Sequence, residues 1–104
     1  MSNIITLKGR GVTKEFIYKT SRSRGAGGQH VNKVSTKVEA LFNIPESRVF
    51  SDEEKAHIIE KLGTRLIQGE TLATNSDETR SQHTNKDRAT LKLLKILERA
   101  DNHP

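Results

Sequence analysis

A glycine-rich, basic segment from Ser21 to Lys33 contains the groups of this 104-residue chain that are best suited to chemistry. Apart from one valine it has no large apolar side chain, so it cannot hold itself against a core. Gly25, Gly27 and Gly28 permit positive φ angles and let the main chain approach a partner closely. In so small a domain, a stretch of this length without secondary structure is usually functional or disordered. We therefore interpret residues 20–36 as a flexible, functional loop.

The net charge of +5 is concentrated on this loop and its approaches. Residues 1–37 carry eight Lys and Arg against Glu15 alone, whereas residues 38–104 carry ten against twelve acidic residues. A basic patch of this kind favours phosphate backbones over neutral small molecules, because binding releases condensed counterions. A solvated basic face without a ligand is the alternative interpretation of the charge by itself.

Several classes of site lack the residues that they need. The chain has no cysteine, which excludes a disulfide framework and a thiolate zinc site. No nucleophile–His–Asp arrangement is indicated, and no Gly-x-x-x-x-Gly-Lys-Ser/Thr pattern for nucleotide phosphates occurs. The histidines lack the spacing of metal ligands, and they are His30, His57, His83 and His103. We expect neither a metal nor a cofactor.

The composition indicates one small domain in a cytoplasmic setting. Leu, Ile, Val and Phe make up 25 residues, enough for a single modest core. Residues 1–8 lack the apolar run of a signal peptide, and no run of about eighteen apolar residues occurs anywhere. We therefore expect a cytoplasmic protein that does not contact a membrane.

Two predicted strands flank the loop and hold its ends. Residues 14–20 are rich in aromatic and β-branched types, which predicts a first strand that runs into the loop. Residues 37–44 predict a second strand that leaves the loop and ends at Pro45. Its alternation places four apolar side chains on one face, namely Val38, Ala40, Phe42 and Ile44. Residues 70–75 are interpreted as a short third strand.

Capping signals and apolar periodicity predict two amphipathic helices. Ser51 and Glu54 match the reciprocal capping pattern, and the helix is expected to continue to about Gln68, with Gly69 as its stop. Its apolar stripe consists of Ala56, Ile59, Leu62 and Leu66. A cap at residues 84–87 predicts the second helix. Its apolar stripe is Ala89, Leu93, Ile96, Leu97 and Ala100, and its outer surface carries Arg88, Lys92, Lys95 and Arg99.

This order of elements predicts an α+β domain. A small mixed or antiparallel sheet is packed by the two amphipathic helices, and the long flexible glycine-rich loop lies between the first two strands. The sheet and helices would position the loop rather than supply its chemistry.

The loop sequence resembles the Gly-Gly-Gln loop of the class I peptide-chain release factors. The resemblance rests on Gly25 to Lys33, preceded by Ser21-Arg22-Ser23 and followed by Ser35-Thr36-Lys37-Val38. Arg80-Ser81-Gln82, followed by Asn85 and a basic helix, also resembles the catalytic domain of that family. The similarity covers roughly residues 10–100, and a match of this length in register is specific, whereas Gly-Gly-Gln by itself is not.

Within that family, the short codon-independent peptidyl-tRNA hydrolases that rescue stalled ribosomes are the closer match. Release factors carry further domains that read the stop codon, for which 104 residues leave no room. Ala26 and His30 resemble the bacterial rescue proteins. Those proteins continue into a basic, disordered tail that these residues do not include, so we expect residues 1–104 to be a single release-factor-like catalytic domain.

The resemblance implies that Gly27, Gly28 and Gln29 are catalytic. No acidic side chain lies in the loop to act as a general base. The resemblance implies that the ribosome's peptidyl transferase centre and the terminal ribose of the tRNA supply the remaining groups. RNA contacts are expected from Arg22, Arg24, Lys33, Lys14, Lys19, His30 and Asn32. Support of the loop is expected from Arg80, Ser81, Gln82 and Asn85.

The expected function is ribosome-dependent, codon-independent hydrolysis of the peptidyl-tRNA ester, which releases nascent peptide from stalled ribosomes. We expect the protein to be a monomer, and its expected partners are large-subunit rRNA and peptidyl-tRNA. A non-catalytic ribosome- or RNA-binding module is the alternative, which explains the charge but places no demand on Gln29.

Overall fold

The computed structural model describes residues 9–23 and 35–101 of the chain. A short 3-10 helix, Val12–Glu15, precedes strand β1, Ile17–Ser23, and strand β2, Ser35–Asn43, follows. Helix α1, Asp52–Leu62, continues into a 3-10 turn, Gly63–Arg65, and strand β3, Thr71–Ser76, leads to helix α2, Gln82–Asp101. Side chains are not described at positions 22, 23 and 35.

The three strands form one antiparallel sheet in the order β1-β2-β3. β1 pairs with β2 from Ile17 opposite Leu41 to Ser23 opposite Ser35. β3 pairs with the other edge of β2 and ends at Ser76, opposite Val38. The predicted α+β architecture is therefore confirmed, and the sheet is antiparallel throughout these strands.

The core lies between the sheet and α2, which packs across β2 and β3. The predicted apolar face of β2 is confirmed, since Val38, Ala40, Phe42 and Ile44 are all buried. The Phe42 ring meets Phe16 and Phe50 edge to face, with centroids 5.4 and 6.1 Å apart. These three rings connect the start of β1, the centre of the sheet and the approach to α1. Helix α1 contacts α2 and contributes the fully buried Ile58.

β1 begins later than the sequence predicts and ends later as well. Lys14 and Glu15 belong to the 3-10 helix, because Gly11 adopts φ +85° and the Glu15 carboxylate is hydrogen-bonded to residues that follow β2. That carboxylate accepts hydrogen bonds from the Ser47 hydroxyl at 2.5 Å and the Arg48 N–H at 2.8 Å. At the other end, residues 21–23 and 35–36 of the predicted loop belong to strands. The predicted flexibility of the rest of that loop lies outside the described residues.

Helix α1 starts as predicted and ends earlier. The Ser51 hydroxyl accepts from the Glu54 N–H at 3.2 Å, and the Glu54 carboxylate accepts from the Ser51 N–H at 2.8 Å. The predicted extension to Gln68 is wrong, because Gly63 adopts φ +50° and ends the helix after Leu62. The predicted stripe is also wrong at Ala56, which is exposed, and it omits the buried Ile58.

Helix α2 starts at Gln82, before the predicted cap at Thr84. The Ser81 hydroxyl accepts from the Thr84 N–H at 3.1 Å, so Ser81 takes the capping role. The apolar stripe is confirmed except that Ile96 is only half-buried and that Leu94, which it omits, is fully buried. The predicted outer cations are all exposed: Arg88, Lys92, Lys95 and Arg99. Within residues 9–23 and 35–101, no helix combines the length and apolar character that crossing a bilayer requires.

Candidate functional site

The predicted catalytic segment joins two adjacent strands at one end of the sheet. Ser23 and Ser35 are the last paired residues of β1 and β2, so the chain leaves and re-enters the sheet at neighbouring positions. Between them lie residues 24–34, outside the described part of the chain. The predicted site residues on this segment are Arg24, Gly27, Gly28, Gln29, His30, Asn32 and Lys33.

Asn85, on the first turns of α2, lies beneath the end of the sheet that carries this segment. Its side chain is fully buried and its Nδ2 donates to the Thr36 carbonyl at 2.6 Å and to the Thr79 carbonyl at 2.9 Å. Its Oδ1 accepts from the Thr79 N–H at 3.1 Å and from the Thr79 hydroxyl at 2.9 Å, and the Ser76 hydroxyl oxygen lies 3.3 Å from it. Both donor protons and the acceptor oxygen of this amide are therefore in use, which fixes its orientation.

The turn between β3 and α2 is built from hydroxyl side chains. The Thr79 hydroxyl lies 3.1 Å from both the N–H and the carbonyl of Ser81, and Ser81 in turn caps α2. The Ser76 hydroxyl also donates to Glu78 at 3.0 Å. That hydrogen bond, together with Lys92, holds the pKa of the Glu78 carboxyl below its usual range. These contacts give the turn a defined shape.

The four residues predicted to support the loop therefore separate into two groups. Asn85 and Ser81 make defined hydrogen bonds at the turn and the helix start. Arg80 and Gln82 are exposed, and among the described residues neither side chain makes a hydrogen bond or an ion pair. The structure thus connects one of the four, Asn85, directly to β2.

The cations predicted to contact RNA occupy different parts of the domain. Arg22 is paired with Thr36 near the catalytic segment. Lys19 is exposed on β1 opposite Glu39 in the register. Lys14 lies before the start of β1, and the seven residues of β1 span ~23 Å, so Lys14 is at the far end of the sheet.

β1 is held against α2 through Tyr18. The Tyr18 hydroxyl lies 2.7 Å from the Thr90 hydroxyl, and the Lys86 ammonium lies 4.6 Å from the centre of the Tyr18 ring. Because side chains alternate along a strand, this contact places Lys19 on the face of the sheet away from α2. Helix α2 therefore contacts both strands that flank the predicted catalytic segment, β1 through Tyr18 and β2 through Asn85.

Sequence reasoning identified Asn85 but missed Ser76 and Thr79, which hold it. A usable signal was present, because hydroxyl residues clustered before a helix are typical of structured turns. The Thr36 carbonyl could not be identified as a partner from the sequence, since every residue has a backbone carbonyl. Among the described residues, no group of three His, Cys, Asp or Glu side chains could hold a metal ion.

The fold and the site thus define a class of protein, namely α+β domains with a glycine-rich segment between their first two strands. A family model described as the RF-1 domain matches residues 12–103, and the chain belongs to that family. The predicted resemblance to the release-factor catalytic domain is confirmed by this match.

Two curated relatives give finer information. The chain is 32% identical over 76 residues to the peptidyl-tRNA hydrolase ArfB of Pseudomonas putida, covering 73% of this chain and 55% of that protein. It is 29% identical over 92 residues to an uncharacterized protein of Saccharomyces cerevisiae, covering 86% of this chain and 46% of that protein. The chain spans about half the length of the curated relatives it matches.

Proposed function

We propose that this domain hydrolyses the ester bond of peptidyl-tRNA within the ribosome, without reading a codon, and so releases nascent peptide from stalled ribosomes. Its membership of the RF-1 domain family and its similarity to a peptidyl-tRNA hydrolase support the reaction type. Its partners would be large-subunit rRNA and peptidyl-tRNA, and it would act as a cytoplasmic monomer.

The observation that carries the proposal is the placement of Gly27-Gly28-Gln29 between β1 and β2. β1 ends and β2 begins at one paired position, Ser23 and Ser35, so both attachment points of the segment lie at one end of the sheet. A segment attached at neighbouring points can enter a narrow site while the sheet and α2 remain outside it. This arrangement suits a group that must be delivered into an RNA cavity.

In the reaction, a water oxygen attacks the carbonyl carbon of the ester, and the ribose oxygen of the tRNA leaves with a proton. The backbone N–H of Gln29 would donate to the oxyanion that forms on the carbonyl oxygen, and its side-chain amide would orient the water. Losing one such donor typically slows a reaction by about 10²–10³. Gly27 and Gly28 would allow the backbone to turn this N–H toward the ester. Ribosomal RNA and the terminal ribose would complete the site.

The charge distribution supports binding to RNA. The expected phosphate contacts on and beside the segment are Arg22, Arg24, Lys33 and, along the chain before it, Lys14 and Lys19, with His30 and Asn32 at the RNA surface. Lys14 and Lys19 are exposed in the structure and therefore accessible to a large partner.

The test is peptide release from ribosomes that hold peptidyl-tRNA in the P site and no tRNA in the A site. The parent chain is compared with Gly28→Ala and with Gly9→Ala, a matched glycine substitution at a position where an added Cβ meets nothing within 4 Å. We expect release by the parent and by Gly9→Ala, at similar rates whichever codon occupies the A site, and a loss of about 10²–10³ for Gly28→Ala. A native release rate for Gly28→Ala would contradict the backbone mechanism.

The alternative, a non-catalytic ribosome- or RNA-binding module, is favoured by the concentration of positive charge in residues 1–37. It predicts salt-sensitive binding to ribosomes with no release of peptide. A version extended by a Lys/Arg-rich C-terminal segment belongs in the same assay. Release by this version alone would indicate a competent catalytic domain that needs additional basic contacts, whereas no release by either version would favour the binding module.

A further inference from the structure

We infer that Asn85 is a positioning residue for the catalytic segment, because its side-chain amide hydrogen-bonds to β2 at a point beyond the end of β3. This inference rests on the proposed function. β3 ends at Ser76, opposite Val38, whereas β2 begins three residues earlier, at Ser35. Among the described strands, residues 35–37 of β2 therefore have a neighbour in β1 and none on the side of β3.

Asn85 supplies a hydrogen bond on that open side. Its Nδ2 donates to the carbonyl of Thr36 at 2.6 Å, a contact between residues 49 apart in the sequence. Thr36 is one pair away from the last pair of the sheet, Ser23 and Ser35. The bond thus restrains β2 immediately after the chain leaves the catalytic segment.

The turn before α2 gives the amide its orientation. Thr79 contributes its N–H, hydroxyl and carbonyl to the Asn85 amide, at distances between 2.9 and 3.1 Å. Because the amide is fully buried, leaving one of its polar groups without a partner is unfavourable. The Asn85 side chain is consequently held in one orientation, with an N–H directed at the Thr36 carbonyl.

A restraint at this position affects the direction in which the catalytic segment leaves the sheet. Reaction rates are sensitive to such placement, and a displacement of about 1 Å can cost about 10²-fold. RNA binding, by contrast, depends on charges spread over the segment and its approaches. Loss of the Asn85–Thr36 bond should therefore lower the maximal rate of release while leaving the affinity for ribosomes nearly unchanged.

The experiment compares Asn85→Asp with Thr79→Ala. Aspartate keeps an acceptor oxygen facing Ser76 and Thr79 but has no N–H for the carbonyls of Thr36 and Thr79. Thr79→Ala removes a hydroxyl from the same cluster and leaves the Asn85–Thr36 bond in place. We expect a 10- to 100-fold loss in the maximal single-turnover rate for Asn85→Asp, with ribosome affinity within about threefold of the parent, and less than a threefold rate loss for Thr79→Ala.

Amide hydrogen exchange provides a readout that does not depend on ribosomes. We expect Asn85→Asp to speed exchange in residues 35–37 relative to residues 39–43 of the same strand, whereas Thr79→Ala should not. If Asn85→Asp fails to fold, Asn85→Ser, which is uncharged and too short to reach Thr36, takes its place in both measurements.

Equal exchange in the two variants, or equal loss of release rate, would overturn the inference and leave Asn85 as a structural residue of the turn. Absence of release by the parent chain would contradict the proposed function instead. In that case the exchange measurement still decides whether Asn85 restrains β2.

Discussion

Arg10 and Glu54, which lie 44 residues apart in the sequence, form a two-pronged ion pair at the start of α1. The guanidinium donates from Nη1 to Glu54 Oε2 at 3.1 Å and from Nη2 to Oε1 at 3.0 Å. Nη2 also donates to the carbonyl of Val49, and the guanidinium carbon lies 5.1 Å from the centre of the Phe50 ring. The same carboxylate accepts from the Ser51 N–H. One acidic side chain thus joins the N-terminal residues to the capping box of a helix.

This pair makes part of the stability pH-dependent. The hydrogen bonds from Arg10, followed by those from Ser51, lower the pKa of Glu54 from 4.5 to about 2. Because the folded-state pKa is the lower one, the stabilisation is complete above pH 4.5 and is lost as the pH falls toward 2. We expect Glu54→Gln, which can still form the capping box, to cost about 1 kcal/mol at pH 7 and close to nothing near pH 2.

Urea denaturation at several pH values measures this difference. Glu53→Gln, an exposed change in the same helical turn, serves as the control. A cost for Glu54→Gln that stayed constant from pH 7 to pH 2 would show that the charge of Glu54 contributes nothing.

The turn before β3 contains two consecutive residues with positive φ, Gln68 at +54° and Gly69 at +72°. An added Cβ at Gly69 meets nothing within 4 Å, and the same holds at Gly9, where φ is not in the positive region. The two substitutions to alanine therefore differ in backbone conformation and not in crowding. We expect Gly69→Ala to lower the free energy of unfolding by about 1 kcal/mol more than Gly9→Ala, measured by urea denaturation. Equal effects would mean that the turn adapts to a side chain without strain.

Release kinetics distinguish the main chain of Gln29 from its side chain. Gln29→Ala keeps the backbone N–H, so we expect it to lose much less activity than Gly28→Ala, for which about 10²–10³ is expected. The measurement is the single-turnover rate at saturating protein, which separates chemistry from binding. If Gln29→Ala lost as much as Gly28→Ala, the side-chain amide would be the group that matters.

Salt dependence tests the phosphate contacts. Arg22→Gln combined with Lys33→Gln removes one cation beside the predicted catalytic segment and one on it, and we expect the slope of log affinity against log salt to fall by about 1.5. The matched control, Arg88→Gln with Lys92→Gln, removes two cations that already face Glu78 at 3.6 and 3.3 Å. It should change the slope by less than half as much. Equal changes in slope would indicate a diffuse electrostatic attraction without specific contacts.

Local patterns explain why so much of the fold was predictable. The buried face of β2 follows from strict alternation, and the start of α1 follows from the Ser51–Glu54 capping box, whose members are three residues apart. The errors have local causes as well. The predicted stop at Gly69 and the predicted cap at Thr84 are wrong because the folded chain uses Gly63 and Ser81, residues of the same kinds a few positions earlier.

The sequence by itself determined the α+β class and the family resemblance, and it predicts the residues that would act on the ester, because these depend on residue type and short spacing. Tertiary structure decided which residues meet across long separations. The contact of Asn85 with Thr36 and the pairing of Arg10 with Glu54 join positions 49 and 44 residues apart. The Asn85 contact forms because α2 packs on the sheet and because a buried polar group needs a partner. The Arg10 contact forms because the fold brings the residues before β1 to the start of α1. Neither condition is expressed in any short stretch of sequence.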